Sequence, residues 1–553
     1  MPSLYPAYLQ ELTERLCSVP SISGAAAEEN ACALMLKNEI ERITPSFGHR
    51  LETRLIDCEN DPLGRQAVLA VLTCRNPTER TVLLTGHFDV VDTQALGALS
   101  GLAFSPSLFT HAVRDVGLDP ESLKDLESGN WLFGRGTMDM KAGLALFVGA
   151  IGHFAHEENL AINIAFLAVP DEEVNSAGMR GAMPEFTRLM NERHWDVVAA
   201  LTGEPCFWTK GTATSPAVRP YYTGSTGKIM PYFMCLGVPA HVNDYYSGLS
   251  AALLAARVVE VVEANDELVD GEGFDTLSPP CCLELQVRRD TYSVTLPQCA
   301  VAYFNVLTTT RTPADVLEWC KNAASTAAAR TIEHLARRRA QYRARGGNTP
   351  ELPEIRVIDF SDVCRSLIER WGSAEATYKR LTEYADALPK GLDAREASIR
   401  IAEFMVEQAH IATPCIVVGF VPPYYPYRLN TNRTPKERKL RQIVNDMAKL
   451  GGEMAGDNAT MTHEVFGGIT DLSFLGFDGD ERALSALSQN MPGWGSVYSL
   501  PMQELLQLDI PVANMGPAGK DAHKKTERLE LKYSFEIAPE LLRQTIVRLG
   551  QDS

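Results

Sequence analysis

Apolar residues near the N-terminus recur every three or four positions, and further along the chain they join into continuous runs. The first spacing predicts helices over residues 7–17 and 25–43. The runs at 67–74, 81–85 and 162–169 have the length of strands, and uninterrupted apolar strands are typical of parallel sheets buried on both faces. This alternation predicts an α/β fold with an open, mostly parallel sheet flanked by helices.

Polar residues stand at the ends of these strands or in the Gly-rich loops between them. Those with metal-binding or acid–base chemistry are His87, Asp89, Asp139, Glu172, Glu173, Glu204 and His523. Because parallel strands present their carboxyl ends at one edge of a sheet, we expect these residues to meet there. The two His and three of the carboxylates, those of Asp139, Glu173 and Glu204, suit two divalent ions of the zinc type with one bridging carboxylate.

Each feature taken singly has an ordinary alternative. A His-x-Asp after a strand is most often a loop pair, and a lone residue such as His523 is most often structural. Glu172 and Glu173, if extended, point in opposite directions, which lets one bind metal while the other receives a proton from water. The order of all these residues along the chain favours the metal site over the ordinary interpretation.

A different pattern follows residue 210, where shorter strands and Ala-rich helices indicate a small α+β domain. Within it we predict a strand pair at 292–308 and a helix at 313–330. The Arg-rich helix at 330–345 is interpreted as a solvated face in preference to a binding patch. Residues 100–129, which precede this domain, are predicted to be irregular.

Composition narrows the class of protein. The net charge of −18 argues against nucleic acid as the main partner, because phosphate binding needs a basic face. No run of about 18 apolar residues is present, and residues 1–20 lack a signal-peptide pattern, so neither a membrane span nor a leader is expected. The 12 cysteines are scattered without CxxC pairs, which indicates reduced thiols and a cytoplasmic location.

Five short segments carry a resemblance to a known family. They are Thr85-Gly86-His87-Phe88-Asp89, Gly134-Arg135-Gly136-Thr137-Met138-Asp139-Met140-Lys141, Asp171-Glu172-Glu173, Gly203-Glu204-Pro205 and Ala522-His523. In this order they resemble the di-zinc family of aminoacylases, glutamate carboxypeptidases and succinyl-diaminopimelate desuccinylases. The resemblance covers about residues 8–300 and 440–550.

The resemblance implies a role for each candidate. His87 and Glu204 hold one metal ion in this interpretation, Glu173 and His523 hold the other, and Asp139 bridges the two. The remaining two residues have supporting roles: the general base is Glu172, and the residue that orients the first His is Asp89. Two divalent ions per chain are implied, with zinc expected and Co²⁺ or Mn²⁺ as alternatives. The family often has a cis peptide after the bridging residue, which makes Asp139–Met140 a candidate.

The family also carries a lid domain that supplies a His to the active site, in many members across a dimer interface. His241, in Gly237-Val238-Pro239-Ala240-His241, resembles that His and would polarise the scissile carbonyl; the alternative is an ordinary loop His. The implied domains are a catalytic domain in two parts, 1–212 and 436–553, and a lid domain at 213–435 with an extra insertion at about 330–435. A homodimer through the lid is the implied assembly.

The chain departs from the family pattern at the substrate-binding positions. Asn305 matches the family's Asn-x-Arg, but Leu307 stands where the Arg that grips a substrate carboxylate is expected. Gly468 and Thr470 lie in a Gly-Gly-x-Thr-Asp loop that has one residue more than the family's, and they are candidate substrate contacts with Asn305. The surplus at 330–435 resembles the long branch of the family linked to bacterial arginine utilisation.

The leading hypothesis is a metal-dependent hydrolase that cleaves a peptide, N-acyl or N-carbamoyl amide bond of a small amino-acid derivative. The resemblance to the long branch of the family points to derivatives from arginine or ornithine metabolism. Water activated by two metal ions attacks, with Glu172 as the general base. The alternative from another class is a catalytically silent metal-binding scaffold or regulator, which the missing Arg favours and Glu172 disfavours. A carboxypeptidase for larger peptides is a second enzymatic alternative.

Overall fold

Helices and strands alternate over residues 4–44, 50–209, 217–289 and 291–551, which are the residues that a computed structural model of the chain describes. The strands, numbered in chain order, are β1 Leu51–Asp57, β2 Gln66–Leu72, β3 Arg80–His87, β4 Trp131–Phe133, β5 Asn163–Val169, β6 Asp196–Thr202, β7 Cys206–Phe207, β8 Arg219–Tyr222, β9 Gly224–Ser225, β10 Gly227–Ile229, β11 Pro231–Leu236, β12 Cys281–Val287, β13 Cys299–Thr308, β14 Arg356–Asp359, β15 Cys415–Phe420, β16 Arg428–Leu429, β17 Thr460–His463, β18 Val512–Asn514, β19 Ala518–Lys520 and β20 Arg528–Glu530. The α-helices are α1 Pro6–Cys17, α2 Ala26–Ile43, α3 Pro106–Ala112, α4 Pro120–Ser128, α5 Ala142–Ala155, α6 Ala177–Glu192, α7 Ala251–Val262, α8 Pro313–Arg343, α9 Phe360–Trp371, α10 Ala374–Asp386, α11 Ala394–Ala409, α12 Pro435–Ala455, α13 Glu481–Gln489, α14 Met502–Gln507 and α15 Ala538–Gly550.

The chain folds into two units, each assembled from separate stretches of sequence. Unit 1 comprises Met1–Thr226, Arg428–Phe477 and Pro501–Ser553. Unit 2 comprises Gly227–Tyr427 and Asp478–Leu500. Unit 2 is thus inserted into the chain of unit 1, and the C-terminal residues return to unit 1.

Unit 1 is built on an eight-stranded sheet with the order β1-β2-β5-β3-β6-β18-β8-β17. Its four central strands, β5, β3, β6 and β18, run parallel to one another, whereas β1 and β2 add antiparallel pairs at one edge. Every residue of β5 is buried, and the core fills the space between the sheet and α1, α2, α5, α12 and α15. The predicted α/β fold with an open, mostly parallel sheet flanked by helices is confirmed.

Residues 100–129 were predicted to be irregular, and that prediction is wrong. They contain α3 and α4, which both begin with a proline, Pro106 and Pro120. Proline suits the first turn of a helix because its missing N–H has no partner there in any case. Asp119 caps α4 by accepting hydrogen bonds from the backbone N–H groups of Glu121 and Ser122.

Unit 2 contains a second sheet with the order β10-β13-β11-β15-β14, in which β12 also pairs with β13. The prediction of a strand pair at 292–308 is wrong. One strand, β13, occupies the end of that segment. Two earlier residues of the segment lie outside β13: Pro297, and Tyr292, which is 90% exposed. The two helices predicted at 313–330 and 330–345 are one helix of 31 residues, α8. The Ala-rich stretch between them favours an uninterrupted helix.

The insertion predicted at about 330–435 supplies α9 and α11, which pack on β11 and β15 in the core of unit 2. Residues 478–500 also belong to unit 2, although the sequence interpretation assigned them to the second part of the catalytic domain. Within unit 2, the backbone N–H of Ser361 donates to Asn490 Oδ1 at 2.9 Å. The predicted boundary between residues 212 and 213 lies outside the described residues.

The 12 cysteines are all described, and each of them is free. In the described part of the chain, no single helix is long and apolar enough to cross a membrane. One pair, Gln94–Leu102 with Pro106–Val116, reaches that length and apolarity only together, and it bends by 112° at its break.

Two glycines allow helix α5 to approach the end of strand β6. A Cβ atom at Gly143 would lie 2.1 Å from the carbonyl oxygen of Gly203, far inside a van der Waals contact. Likewise, a Cβ atom added at Gly203 would lie 2.8 Å from the Cα of Gly143. The two backbones therefore meet with no room for a side chain, directly before Glu204.

Gly143→Ala is expected to destabilise the protein by roughly 1–3 kcal/mol, because the added methyl forces backbone shifts in a packed core. Gly101→Ala is the control, since a Cβ there meets nothing within 4 Å. Urea unfolding of both variants measures the difference. Equal stability of the two variants would contradict the proposed steric role of Gly143.

A buried carboxylate ties α1 to α2. The Glu39 side chain is 1% exposed and accepts hydrogen bonds from Tyr8 at 2.8 Å, from Arg15 at 2.9 Å and from Arg42 at 2.6 Å. Burial alone would raise the pKa of Glu39, but the hydrogen bonds from Arg42, Arg15 and Tyr8 lower it to about 2. The ionised form is therefore the one that stabilises this pair of helices.

Glu39→Gln is expected to flatten the dependence of stability on pH. Because the folded pKa of about 2 lies below the ordinary value of 4.5, the contribution of Glu39 is present above pH 4.5 and disappears as the pH falls toward 2. The difference in unfolding free energy between wild type and variant should therefore shrink over that interval. Urea unfolding at a series of pH values tests this, and a difference that does not vary with pH would contradict it.

Candidate metal centre

Neighbouring parallel strands of unit 1 deliver the candidate side chains to one edge of the sheet. His87 is the last residue of β3, Glu172 and Glu173 follow β5, and Glu204 follows β6. These three strands are adjacent, with β3 in the middle. Their carboxyl ends therefore place one imidazole between two groups of carboxylates.

The first ligand group consists of His87, Asp139 and Glu204. His87 Nε2 lies 3.3 Å from Asp139 Oδ1 and 3.4 Å from Glu204 Oε1. All three side chains are buried. His87 comes from the end of β3, Asp139 from the Gly-rich loop and Glu204 from the residues after β6.

The second ligand group consists of Asp139, Glu173 and His523. His523 Nε2 lies 3.2 Å from Asp139 Oδ2 and 3.0 Å from Glu173 Oε2. Asp139 thus turns one oxygen toward each group. The Asp139–Met140 peptide bond is cis, which confirms that prediction.

The donor atoms fit two divalent ions. In a tetrahedral zinc site with ligands at about 2.0–2.1 Å, neighbouring ligand atoms are roughly 3.3 Å apart, close to the separations in both groups. The His87 imidazole also has an unsatisfied atom, because its buried Nε2 has no hydrogen-bond partner of acceptable geometry among the described residues. Buried polar atoms are rarely left in that state, and a cation between Nε2 and its carboxylate neighbours would satisfy it.

The Asp89 side chain connects His87 to the segment that carries Glu172 and Glu173. Its carboxylate is fully buried and accepts hydrogen bonds from Ser23 Oγ at 2.6 Å, from Glu172 N at 3.0 Å and from Glu173 N at 3.3 Å. Asp89 Oδ1 lies 3.4 Å from His87 Nδ1, which is also 3.0 Å from the Asp89 carbonyl oxygen. These acceptors favour a proton on Nδ1 and leave Nε2 to face the first ligand group.

Glu172 lies beside both ligand groups but belongs to neither. Its Oε2 is 3.9 Å from His87 Nε2, and its side chain is 9% exposed. Burial raises the pKa of Glu172 well above its ordinary value, and repulsion from Glu204 and Asp471 adds to the rise against the attraction of His87. Glu172 is thus a carboxylate with increased proton affinity next to the candidate metal ligands.

The same crowding of negative charge shifts the other groups. Hydrogen bonds to Asp139 and Glu173 raise the pKa of His523 to about 11. Burial raises the pKa of Glu204 to about 7, although His87 opposes the rise. Burial works in the same direction at Asp139, but hydrogen bonds from His523 and His87 bring its pKa below the ordinary value. The edge of the sheet is thus a concentrated acidic site, as cation binding requires.

Sequence reasoning missed several residues that support this site. Arg135 and Glu527 form a buried ion pair behind it, Arg65 pairs with Asp171 at 2.5 Å, and Asp471 lies near enough to raise the pKa of Glu172. Glu527, four positions after His523, offered a local signal, as did Arg135 within the Gly-rich motif. For Arg65 the sequence offers no signal that we can identify.

The residues predicted to contact the substrate are not among the two ligand groups. His241 and Asn305 belong to unit 2; His241 is exposed, and Asn305 is half-buried on β13 opposite Cys281. Gly468 and Thr470 belong to unit 1, where Thr470 is 1% exposed and its hydroxyl lies 2.9 Å from that of Ser225. The substrate roles of these residues stay predictions.

Comparison with known proteins identifies a matching family, related sequences and a similar fold. The model of peptidase family M20/M25/M40 matches residues 83–548. The uncharacterized protein YqjN of Bacillus subtilis (strain 168) is 33% identical over 89% of this chain and 87% of its own, and Protein RocB of the same organism is 25% identical over 98% and 95%. The fold is similar to that of a tripeptidase from Staphylococcus aureus, with a TM-score of 0.54 and 12% identity over 99% of this chain and 100% of the other.

Single substitutions should separate the two ligand groups. We expect His523→Ala to retain one divalent ion per chain, because His87, Asp139 and Glu204 remain, whereas Asp139→Ala should weaken binding of both ions, since it removes an oxygen from each group. Metal analysis after dialysis against a fixed free zinc concentration gives the stoichiometry. Identical metal content in both variants would contradict the bridging position of Asp139.

Proposed function

Because this chain belongs to peptidase family M20/M25/M40, we propose that it is a two-metal hydrolase that cleaves an amide bond of a small amino-acid derivative. The observation that carries this proposal is the arrangement of two ligand groups that share Asp139, with Glu172 beside them and outside both. A structural metal site has no need of a free carboxylate in that position. A site for hydrolysis does, since a proton must be moved.

We assign the metal ligands from these groups. In this proposal His87 and Glu204 would hold one ion, Glu173 and His523 would hold the other, and Asp139, which belongs to both groups, would be shared between them; zinc is the proposed metal. Bound divalent ions supply Lewis-acid chemistry, which lowers the pKa of water and polarises an amide carbonyl.

Glu172 performs the proton transfers in this proposal. Its carboxylate takes a proton from the attacking water and delivers it to the nitrogen of the leaving amine. Two features support the assignment: the backbone N–H of Glu172 is fixed to Asp89 Oδ1 at 3.0 Å, and burial raises the pKa of the carboxyl group. A carboxylate whose pKa is raised takes a proton from water more readily and can then act as the acid that passes it on.

His241 is proposed as the donor to the substrate's carbonyl oxygen. Its Nδ1 accepts a hydrogen bond from the backbone N–H of Asn243 at 3.2 Å, so in the neutral ring Nε2 carries the proton and is free to donate. The residue is exposed, in a loop of unit 2. A homodimer formed through unit 2 is part of the same proposal, as the assembly implied by the family resemblance.

The proposed substrate class is supported by similarity to one relative and by the residue at one position of the chain. Similarity to RocB extends over 98% of this chain, which supports the long branch linked to arginine utilisation. N-acyl or N-carbamoyl derivatives of arginine and ornithine are therefore the first substrates to test, with Asn305, Gly468 and Thr470 as proposed contacts. Leu307 in place of an Arg argues against the family's usual way of binding a substrate carboxylate.

A cytoplasmic location is also part of the proposal, because the described cysteines are all free thiols, as is usual in that compartment.

The test is Glu172→Gln, which removes the base and keeps the size of the side chain. We expect turnover to fall by about 10²–10⁴-fold while both metal ions remain. The assay screens N-acyl, N-carbamoyl and dipeptide substrates with zinc, cobalt or manganese added. Glu192→Gln, an exposed residue at the end of α6, is the matched control.

Three outcomes of this test differ in meaning. Lost turnover with two ions bound supports Glu172 as the base. Two ions bound to the wild type with no turnover on any substrate would favour the alternative of a silent metal-binding scaffold. A wild-type protein that binds no divalent ion would overturn the metal centre itself.

A further inference from the structure

The loop that carries Asp139 and the loop that carries His523 are joined by one buried ion pair. The Arg135 guanidinium contacts the Glu527 carboxylate, and the two side chains are 1% and 2% exposed. The other oxygen of Glu527 accepts a hydrogen bond from Gly136 N at 2.7 Å. Arg135 Nη2 also donates to the backbone carbonyl of His523 at 3.1 Å. The pair thus contacts both loops at the same time.

His523 depends on such support more than the other ligands do. His87 is the end of a strand that pairs with β5 and β6 on its two sides. His523 lies in a loop, its side chain is 49% exposed, and its φ of 66° is in the left-handed region, which non-glycine residues rarely adopt. Its position is therefore set by the contacts of its own loop.

Those contacts converge on the Gly-rich segment before Asp139. Besides the ion pair, the backbone N–H of Gly134 donates to the Glu527 carbonyl at 3.2 Å, and the N–H of Glu527 donates to the Lys524 carbonyl at 3.2 Å. On the far side of His523, Asp521 is held by Arg528 Nη1 at 2.6 Å. Arg135 reaches the His523 carbonyl directly, so the ion pair fixes how far His523 Nε2 lies from Asp139 Oδ2.

We propose that Arg135 and Glu527 are positioning residues chiefly for the second ion, the one held by Asp139, Glu173 and His523. The first group depends on the pair through one ligand, Asp139, whose loop the pair contacts, whereas His87 and Glu204 come from the ends of strands β3 and β6. Loss of the pair is therefore expected to weaken binding of the two ions unequally, with the larger loss at the second ion. This inference rests on the proposed metal centre.

The test is calorimetric titration of the metal-free protein with Zn²⁺, checked with Co²⁺, whose visible absorption reports its coordination. In Glu527→Gln we expect binding of the second ion to weaken by about 10–100-fold, the loss typical when the outer-shell support of a metal ligand is removed. Binding of the first ion should weaken by clearly less. His523→Ala serves as the reference for a missing second step.

Glu39→Gln is the matched control, because it makes the same chemical change at another buried carboxylate of unit 1 that pairs with arginine, and the hydrogen-bond partners of Glu39 all lie on α1 and α2. It should leave both binding steps unchanged. The double variant Arg135→Met/Glu527→Leu removes both charges together, so no unpaired charge is left in the interior. It is expected to show the same selective loss, which separates positioning from failure to fold.

Two results would overturn the inference. Equal weakening of both steps in Glu527→Gln would show a general structural role, and unchanged binding in Glu527→Gln and in the double variant would show that the pair does not position His523. Either result, obtained with a wild type that binds two ions, leaves the proposed metal centre intact. Absence of binding to the wild type would instead reject the proposed function.

Discussion

The hydrogen bonds to the Asp89 carboxylate are the interaction on which the rest of the site depends. One buried side chain receives a hydroxyl from Ser23 and two consecutive backbone N–H groups from Glu172 and Glu173. It also lies against His87. A buried carboxylate is costly unless its oxygens are satisfied, so the chain after β5 must bend to bring these two N–H groups onto Asp89. That bend sends Glu173 toward one ligand group and keeps Glu172 apart from it.

Buried charge is tolerated here because it is organised in layers. The carboxylates of the two ligand groups face each other across Asp139, and behind them Arg135 pairs with Glu527 and Arg65 with Asp171. The arginines are a fixed source of positive charge that does not depend on pH. They stabilise the loops while the front layer stays negative, which is the condition for attracting divalent cations.

The short motifs of unit 1 could be predicted from sequence because each combines a strand end with a chemically distinctive residue within a few positions. His87, Glu173 and Glu204 are of this kind, and the strands that carry them read as uninterrupted apolar runs. Long-range partners could not be predicted in this way. Arg135 and Glu527 are 392 positions apart, and nothing local indicates that they meet. The residues at 478–500 likewise join unit 2 through contacts such as that of Asn490 with Ser361, which no local pattern specifies.

The insertion of unit 2 into the chain of unit 1 has a consequence for biosynthesis. His87, Asp139 and Glu204 are all made before unit 2, whereas β18 and His523 follow more than 300 residues after Glu204. At translation rates of about 5–20 residues per second, the ribosome needs roughly 15–60 s to bridge that interval. Over that time β6 lacks the strand that will cover its side, and the carboxylates of the sheet edge lack the last imidazole. A nascent chain therefore carries an incomplete, acidic cluster while an entire second unit is synthesised, and only the final stretch of polypeptide completes the sheet.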